Sequence, residues 1–221
     1  MHLPKAIILT ALAFAVVGGG ANGGSSGRID EPVYQAGAIS GNPDKPRRHF
    51  RVRDPARLEP DAAAAIYRDM ADRLSDIYGL SGVAAAADYQ KWRRYNSSPY
   101  LSVTHGQRYV NNYANPLARD YGRFEQSGAL PMGAIVAKDS IAVIKDGGVF
   151  PGPLFLMEKM ASGFSNATGD WRYTMIMPDG SLFGVTKGKF SNRVEYCIGC
   201  HLARERYDHL YYPPPKFRIT P

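Results

Sequence analysis

Apolar residues recur at two different spacings along this chain, and the change from one to the other divides it. Between residues 60 and 78, Ile66, Met70, Leu74 and Ile77 fall on one helical face; Pro60 suits a first turn and Gly79 a stop. A second helical stretch is expected over 83–95, carrying Tyr89, Trp92 and Arg93. From Pro99 onward the pattern turns strand-like, with candidates at 100–104 and 108–113. Asn115 then caps, and Pro116 opens, a helix running to about 126. The Ile, Val and Ala of 133–144 read as a buried strand. Two more strands follow at 154–160 and 171–177, the second with Trp171, Tyr173, Met175 and Met177 on one face. Pro178-Asp179-Gly180 is a turn, and 181–185 completes a hairpin. The expected class is α+β, rich in β, with an N-terminal helical extension.

The region before residue 60 has no such periodicity. Lys5 precedes a run from Ala6 to Val17 whose only polar residue is Thr10, and Gly18, Gly19, Gly20 and Ala21 follow. That order reads as a secretory signal peptide over 1–21, cleaved after Ala21, and in a Gram-negative host it directs the protein to the periplasm. The competing reading is an uncleaved anchor, for which a twelve-residue run is short. Residues 22–58 are rich in Gly, Ser, Pro and Arg and are expected to form a flexible arm. Within them Lys45, Arg47, Arg48, Arg51 and Arg53 make a basic cluster, read either as solvated or as a dock for an acidic partner or anionic lipid. The organisation expected is therefore signal peptide 1–21, basic arm 22–58, helical extension 59–98 and main domain 99–221.

Composition narrows the class only a little. With 221 residues, 44% of them hydrophobic and two cysteines, the chain is neither wholly disordered nor a disulfide-stapled miniprotein. The formal charge of +7 is modest and concentrated in the arm, so it does not argue for nucleic acid. After the signal peptide, no apolar run has the length of a membrane span.

Both cysteines fall in one motif, Cys197-Ile198-Gly199-Cys200-His201. C-x-x-C-H is the attachment signature of c-type haem. Each thiol adds across a haem vinyl group, and the adjacent His201 gives a neutral imidazole to iron. Gly199 allows close approach of the porphyrin. A Cys197–Cys200 disulfide or a redox-active dithiol are the competing readings; zinc would need ligands that no second cysteine pair supplies. Export agrees with haem c, whose attachment takes place outside the cytoplasm. The sixth iron position stays open at this level. His105, His209, Met157, Met160, Met175 and Met177 are candidates, each with core packing as the blander explanation, and His49 is set aside because it lies in the arm.

Residues from about 105 to 218 resemble the cytochrome P-460 family and its relatives the cytochromes c′-beta. The resemblance rests on an ordered set: Arg108 to Asn115 as a first strand and turn, Gly133 through Lys138-Asp139 as a Gly-x-x-x-x-Lys-Glu strand, Gly169-Asp170-Trp171 as the entry to the next strand, the haem motif, and the tail through Tyr211 and Pro213. It implies a mainly antiparallel sheet enclosing one c-type haem, commonly as a homodimer, with five-coordinate iron and His201 proximal. Lys138 matches the lysine that hydroxylamine-oxidising members link to the porphyrin edge; read alone, it is one charge in an apolar run. Their distal glutamate aligns without gaps with Phe155; Glu158 is three residues away, on the opposite face of a strand, and a small gap in the register restores it, so Phe155 or Glu158 is expected to shape the distal pocket. Cytochromes c′-beta cap the iron with phenylalanine, and Phe150 and Phe164 are further lid candidates. The resemblance thus implies a small nitrogen ligand, hydroxylamine or nitric oxide, and a soluble electron-transfer cytochrome as partner. Its alternatives are a nitric oxide-binding protein without turnover and a plain electron carrier.

Overall fold

The computed structural model describes residues 45–220. The expected signal peptide and the first part of the arm lie outside the described residues. Helix α1 spans Pro60–Gly79, and α2, only Ala84–Asp88, follows it. Eight strands come next in chain order: β1 Arg93–Arg94, β2 Tyr100–Ser102, β3 Arg108–Ala114, β4 Ile135–Val143, β5 Val149–Pro151, β6 Leu154–Lys159, β7 Trp171–Ile176 and β8 Leu182–Val185. Helix α3, Glu195–Leu202, carries the cysteine motif. The strands form one antiparallel sheet in the order β1-β3-β4-β6-β7-β8, with β2 also on β3 and β5 also on β4. The fold is α+β and rich in β, as the sequence pattern implies.

Period-two alternation sorts the sheet's side chains between two cores. Ala137, Ile141 and Val143 of β4, Leu154 and Leu156 of β6 and Ile176 of β7 pack on one face against α1 and α2. Val136, Met157, Trp171, Tyr173 and Met175 pack on the other, against Tyr95, Tyr121, Val194, Tyr196, Cys197 and Leu210. Both faces are covered, which is why β4 reads as a nearly continuous apolar run rather than an alternating one. The extension and the sheet therefore share a core.

Three local details differ from the sequence expectations. The buried stripe of α1 is Ala63, Tyr67, Met70, Leu74 and Tyr78 rather than the stripe through Ile66 and Ile77. The helix is rotated so that two tyrosines reach backbone carbonyls of the sheet region: the Tyr67 hydroxyl donates to Tyr109 O at 2.8 Å, and that of Tyr78 to Gly152 O at 2.7 Å. The second helix stops at Asp88, and after a 3₁₀ turn the backbone goes extended at Trp92, so that Arg93 and Arg94 pair with β3. Asn115 caps as expected, its side chain accepting from Ala118 N, but the following Pro116–Gln126 segment is 3₁₀ and broken at Phe124.

Residues 45–58, expected to be loose, are stitched to the domain. Val52 N donates to Gly106 O at 2.9 Å, Ala56 N to Val143 O at 2.8 Å, and Lys145 N to Asp54 O at 3.0 Å. The Arg108 guanidinium donates to Phe50 O at 2.6 Å, and Val52 is buried. The correction has a plain cause: the backbone here finds partners on the edge of the domain, and Val52 supplies an apolar anchor between the arginines. No helix among the described residues is long and apolar enough to cross a membrane.

Candidate functional site

Cys197 and Cys200 stand three residues apart on α3 and so share a face, with His201 next in the same helix. Both thiols are free, Cys197 buried and Cys200 exposed. Burial pushes the Cys197 thiol up to about 12, so it is held protonated. His201 is buried, and desolvation, followed by the charge of Lys138, lowers its pKa to about 3. Its Nδ1 lies 2.7 Å from the carbonyl oxygen of His209. A carbonyl only accepts, so Nδ1 carries the proton and Nε2 keeps its lone pair, the tautomer that a metal-binding imidazole requires.

The turn that presents this carbonyl is tightly held. Asp208 and His209 both have left-handed backbones, with φ of 54° and 60°. Asp208 anchors them, accepting from Lys159 Nζ at 2.5 Å and from Leu130 N at 2.8 Å, while its own carbonyl accepts from Trp171 Nε1 at 2.8 Å. The Lys159–Asp208 ion pair is itself largely buried.

Beside α3 the front face of the sheet opens into a cleft of about 1060 Å³, counting its mouth. Cys197, Cys200 and His201 line it together with Lys138, Phe155, Met157, Tyr173, Met175, Leu210 and Tyr211. Lys138 and Phe155 are direct cross-strand partners of β4 and β6, so the register brings these two sequence-predicted residues side by side. Burial alone lowers the Lys138 pKa to about 8. Glu158 is not brought to the cleft: it is ion-paired with Arg172 of β7 and faces away, as the odd offset from Phe155 requires. Of the sixth-ligand candidates, His105, Met157 and Met175 line the cleft, and Met160, Met177 and His209 do not. Neither Phe150 nor Phe164 lines it; Phe150 packs with Val52 and Ala142 instead.

The largest difference from the sequence reading is His49. Instead of lying free in the arm it lines the cleft, stacked on His105 at 5.1 Å between ring centroids and edge-on to Phe155 at 4.8 Å. Its Nδ1 is 2.9 Å from the Tyr196 hydroxyl, and burial lowers its pKa to about 3. The available cue was Phe50 and Val52, an apolar pair spaced by two inside a run of arginines.

The cleft suits a large, flat, mainly apolar guest with an iron centre. Its walls are aliphatic, aromatic and thioether side chains, and one imidazole nitrogen is left unprotonated. A Cβ built on Gly199, which lines the cleft, meets no protein atom within 4 Å. The buried Tyr173 hydroxyl, on the same wall, has no hydrogen-bond partner among the described residues, the kind of polar atom that a guest satisfies. These residues fit a haem.

Comparison with known proteins agrees. No curated protein matches the chain. A family model described as Cytochrome P460 matches residues 86–212, more than half of the sequence and all of the cleft's lining except His49. The chain belongs to the cytochrome P460 family and is a haem-binding cytochrome.

Proposed function

We propose that this is an exported cytochrome with one haem c, which binds and redox-transforms a small nitrogen ligand, hydroxylamine or nitric oxide. It would pass electrons to a soluble cytochrome, possessing a single site per chain within a homodimer. The observation that carries the reading is the convergence on one cleft of both thiols, an imidazole with a fixed free Nε2, and the Lys138–Phe155 pair. When bound, haem supplies the ligand-binding iron and the electron-accepting centre.

The chain's own residues do the rest. Cys197 and Cys200 would hold the macrocycle by thioether bonds, and His201 would give Nε2 to iron, its ring direction set by the His209 carbonyl. Phe155 offers an apolar wall that disfavours water and anions. Lys138 is a buried amine with its pKa near 8, so a fraction of it is neutral and nucleophilic at neutral pH, the state needed for a link to the porphyrin edge. A second reading, nitric oxide binding without turnover, is favoured by one observation: Phe155 lines the cleft and the nearby carboxylate Glu158 does not.

Protein matured in a host competent for cytochrome assembly tests both. Hydroxylamine-dependent reduction of an added acceptor supports the first; a five-coordinate nitric oxide adduct with no turnover supports the second. A low-spin six-coordinate resting spectrum, as of a plain electron carrier, refutes both.

A further inference from the structure

His49 lies outside the stretch that matches the family, yet the fold delivers it into the family's cleft. We propose that His49 donates an Nε2–H hydrogen bond to the small ligand held in this cleft, making residues 45–58 a working part of the site. The inference rests on the reading of the cleft as a haem site that binds such a ligand.

The tautomer follows from the partners. The Tyr196 hydroxyl has a single hydrogen and three groups within reach, His49 Nδ1 at 2.9 Å, Met175 Sδ at 3.4 Å and the sulfur of Cys197. An imidazole nitrogen is the stronger acceptor and sulfur a weak one, so the hydrogen goes to Nδ1. In a neutral ring the proton then sits on Nε2, the remaining polar atom. The half-buried ring is neutral because it is desolvated and shares its surroundings with Arg108, His201 and Lys138. Its orientation is fixed on three sides, by His105, Phe155 and Tyr196. His105 is in turn held by Ser102 Oγ at 2.9 Å from its Nδ1. Near Phe155 the other polar groups of the pocket are His105, whose Nδ1 is already bonded to Ser102, Lys138 and Thr104; the remaining lining is mainly apolar, so a donor here acts where a hydrogen bond is strong.

Backbone groups help to place the segment. On either side of Arg51, Phe50 O accepts from the Arg108 guanidinium at the start of β3, and Val52 N donates to Gly106 O in the loop before it. Gly106 makes the approach close: its φ is +79°, and a Cβ there would lie 2.0 Å from Phe50 O.

The test uses haem-loaded protein, with carbon monoxide and nitric oxide as probes. The infrared C–O stretch of the ferrous carbonyl is measured in wild type, His49→Leu and His49→Gln. Loss of the donor raises the stretch in His49→Leu and speeds nitric oxide dissociation about three- to tenfold, as expected for one hydrogen bond. His49→Gln, which keeps an N–H donor, restores most of both. In the wild type, exchange into D₂O shifts the band because the donated proton exchanges; this needs no variant. An unchanged stretch in a His49→Leu protein that retains its haem overturns the proposal while leaving the haem reading intact. A low-spin wild type turned high-spin by His49→Leu also overturns it, because His49 is then an iron ligand. Colourless protein removes the haem reading itself, and the proposal with it.

Discussion

Replacing Leu74 by alanine tests whether the helical extension is part of the cooperative fold. Leu74 is wholly buried on the face of α1 that packs on the back of the sheet. Truncation removes three carbons from a cluster that includes Ala137, Ile141, Leu154 and Ile176. A site able to collapse would recover part of the loss, but this one is poorly placed to do so. Its floor is sheet backbone, and Tyr67 and Tyr78 on either side are tethered to carbonyls at 2.8 Å and 2.7 Å. The expected cost is therefore in the upper part of the usual range for Leu→Ala, about 3–5 kcal/mol. Denaturant unfolding of the haem-loaded protein, followed by far-UV circular dichroism and by haem absorbance, measures it. The two probes should move together, and the resting haem spectrum should not change, because the cleft is on the other face. Met132→Ala, at 67% exposure, is the control and should stay within about 0.5 kcal/mol of wild type. A cost under about 1 kcal/mol for Leu74→Ala, or an unfolding step seen by dichroism alone, would refute the shared core.

Other perturbations separate the remaining parts of the account. Lys159→Met leaves Asp208 buried without its partner and should cost about 3–5 kcal/mol, with a changed haem spectrum because the His209 carbonyl no longer fixes His201; an unchanged spectrum contradicts that coupling. Gly106→Ala should displace Phe50 and so reproduce the infrared shift of His49→Leu in a protein whose His49 is intact, and a wild-type band argues against that placement. Asp139, on the back of β4, has its pKa raised to about 7 by burial, so the native state binds its proton more tightly than the unfolded chain. Its contribution to stability is full below about pH 3.8 and is lost as pH rises through about 7; Asp139→Asn should flatten this part of the stability–pH curve, and an unaltered slope would contradict the assignment.

The sequence carried the sheet well because its signals there are short-range. Alternation placed Trp171, Tyr173 and Met175 on one face. A gap-free count put Phe155 at the distal position but left Glu158 open; that Phe155 pairs with Lys138 comes from the strand register. What it could not carry depended on contacts between distant segments. The rotation of α1 is decided by tyrosine hydroxyls finding carbonyls 42 and 74 residues away. The role of His49 depends on an arm whose composition is that of a linker and whose Phe50 carbonyl is held by the side chain of Arg108, 58 residues on, at the start of β3. The His209 carbonyl behind His201 lies on a left-handed turn for which neither Asp208 nor His209 is a strong signal. The cysteine motif, by contrast, was local and specific enough to point to the cleft unaided.

The central claim is that haem is bound through Cys197, Cys200 and His201. Intact-mass and peptide mass analysis of the mature protein, denatured and stripped of non-covalent ligands, tests it most directly. One haem mass should be retained per chain and recovered on the peptide that contains both cysteines, with the Lys138 peptide joined to it through that same haem if the amine link has formed. A mature protein that loses its haem on denaturation, or whose two cysteines are recovered unmodified or joined only to each other, contradicts it.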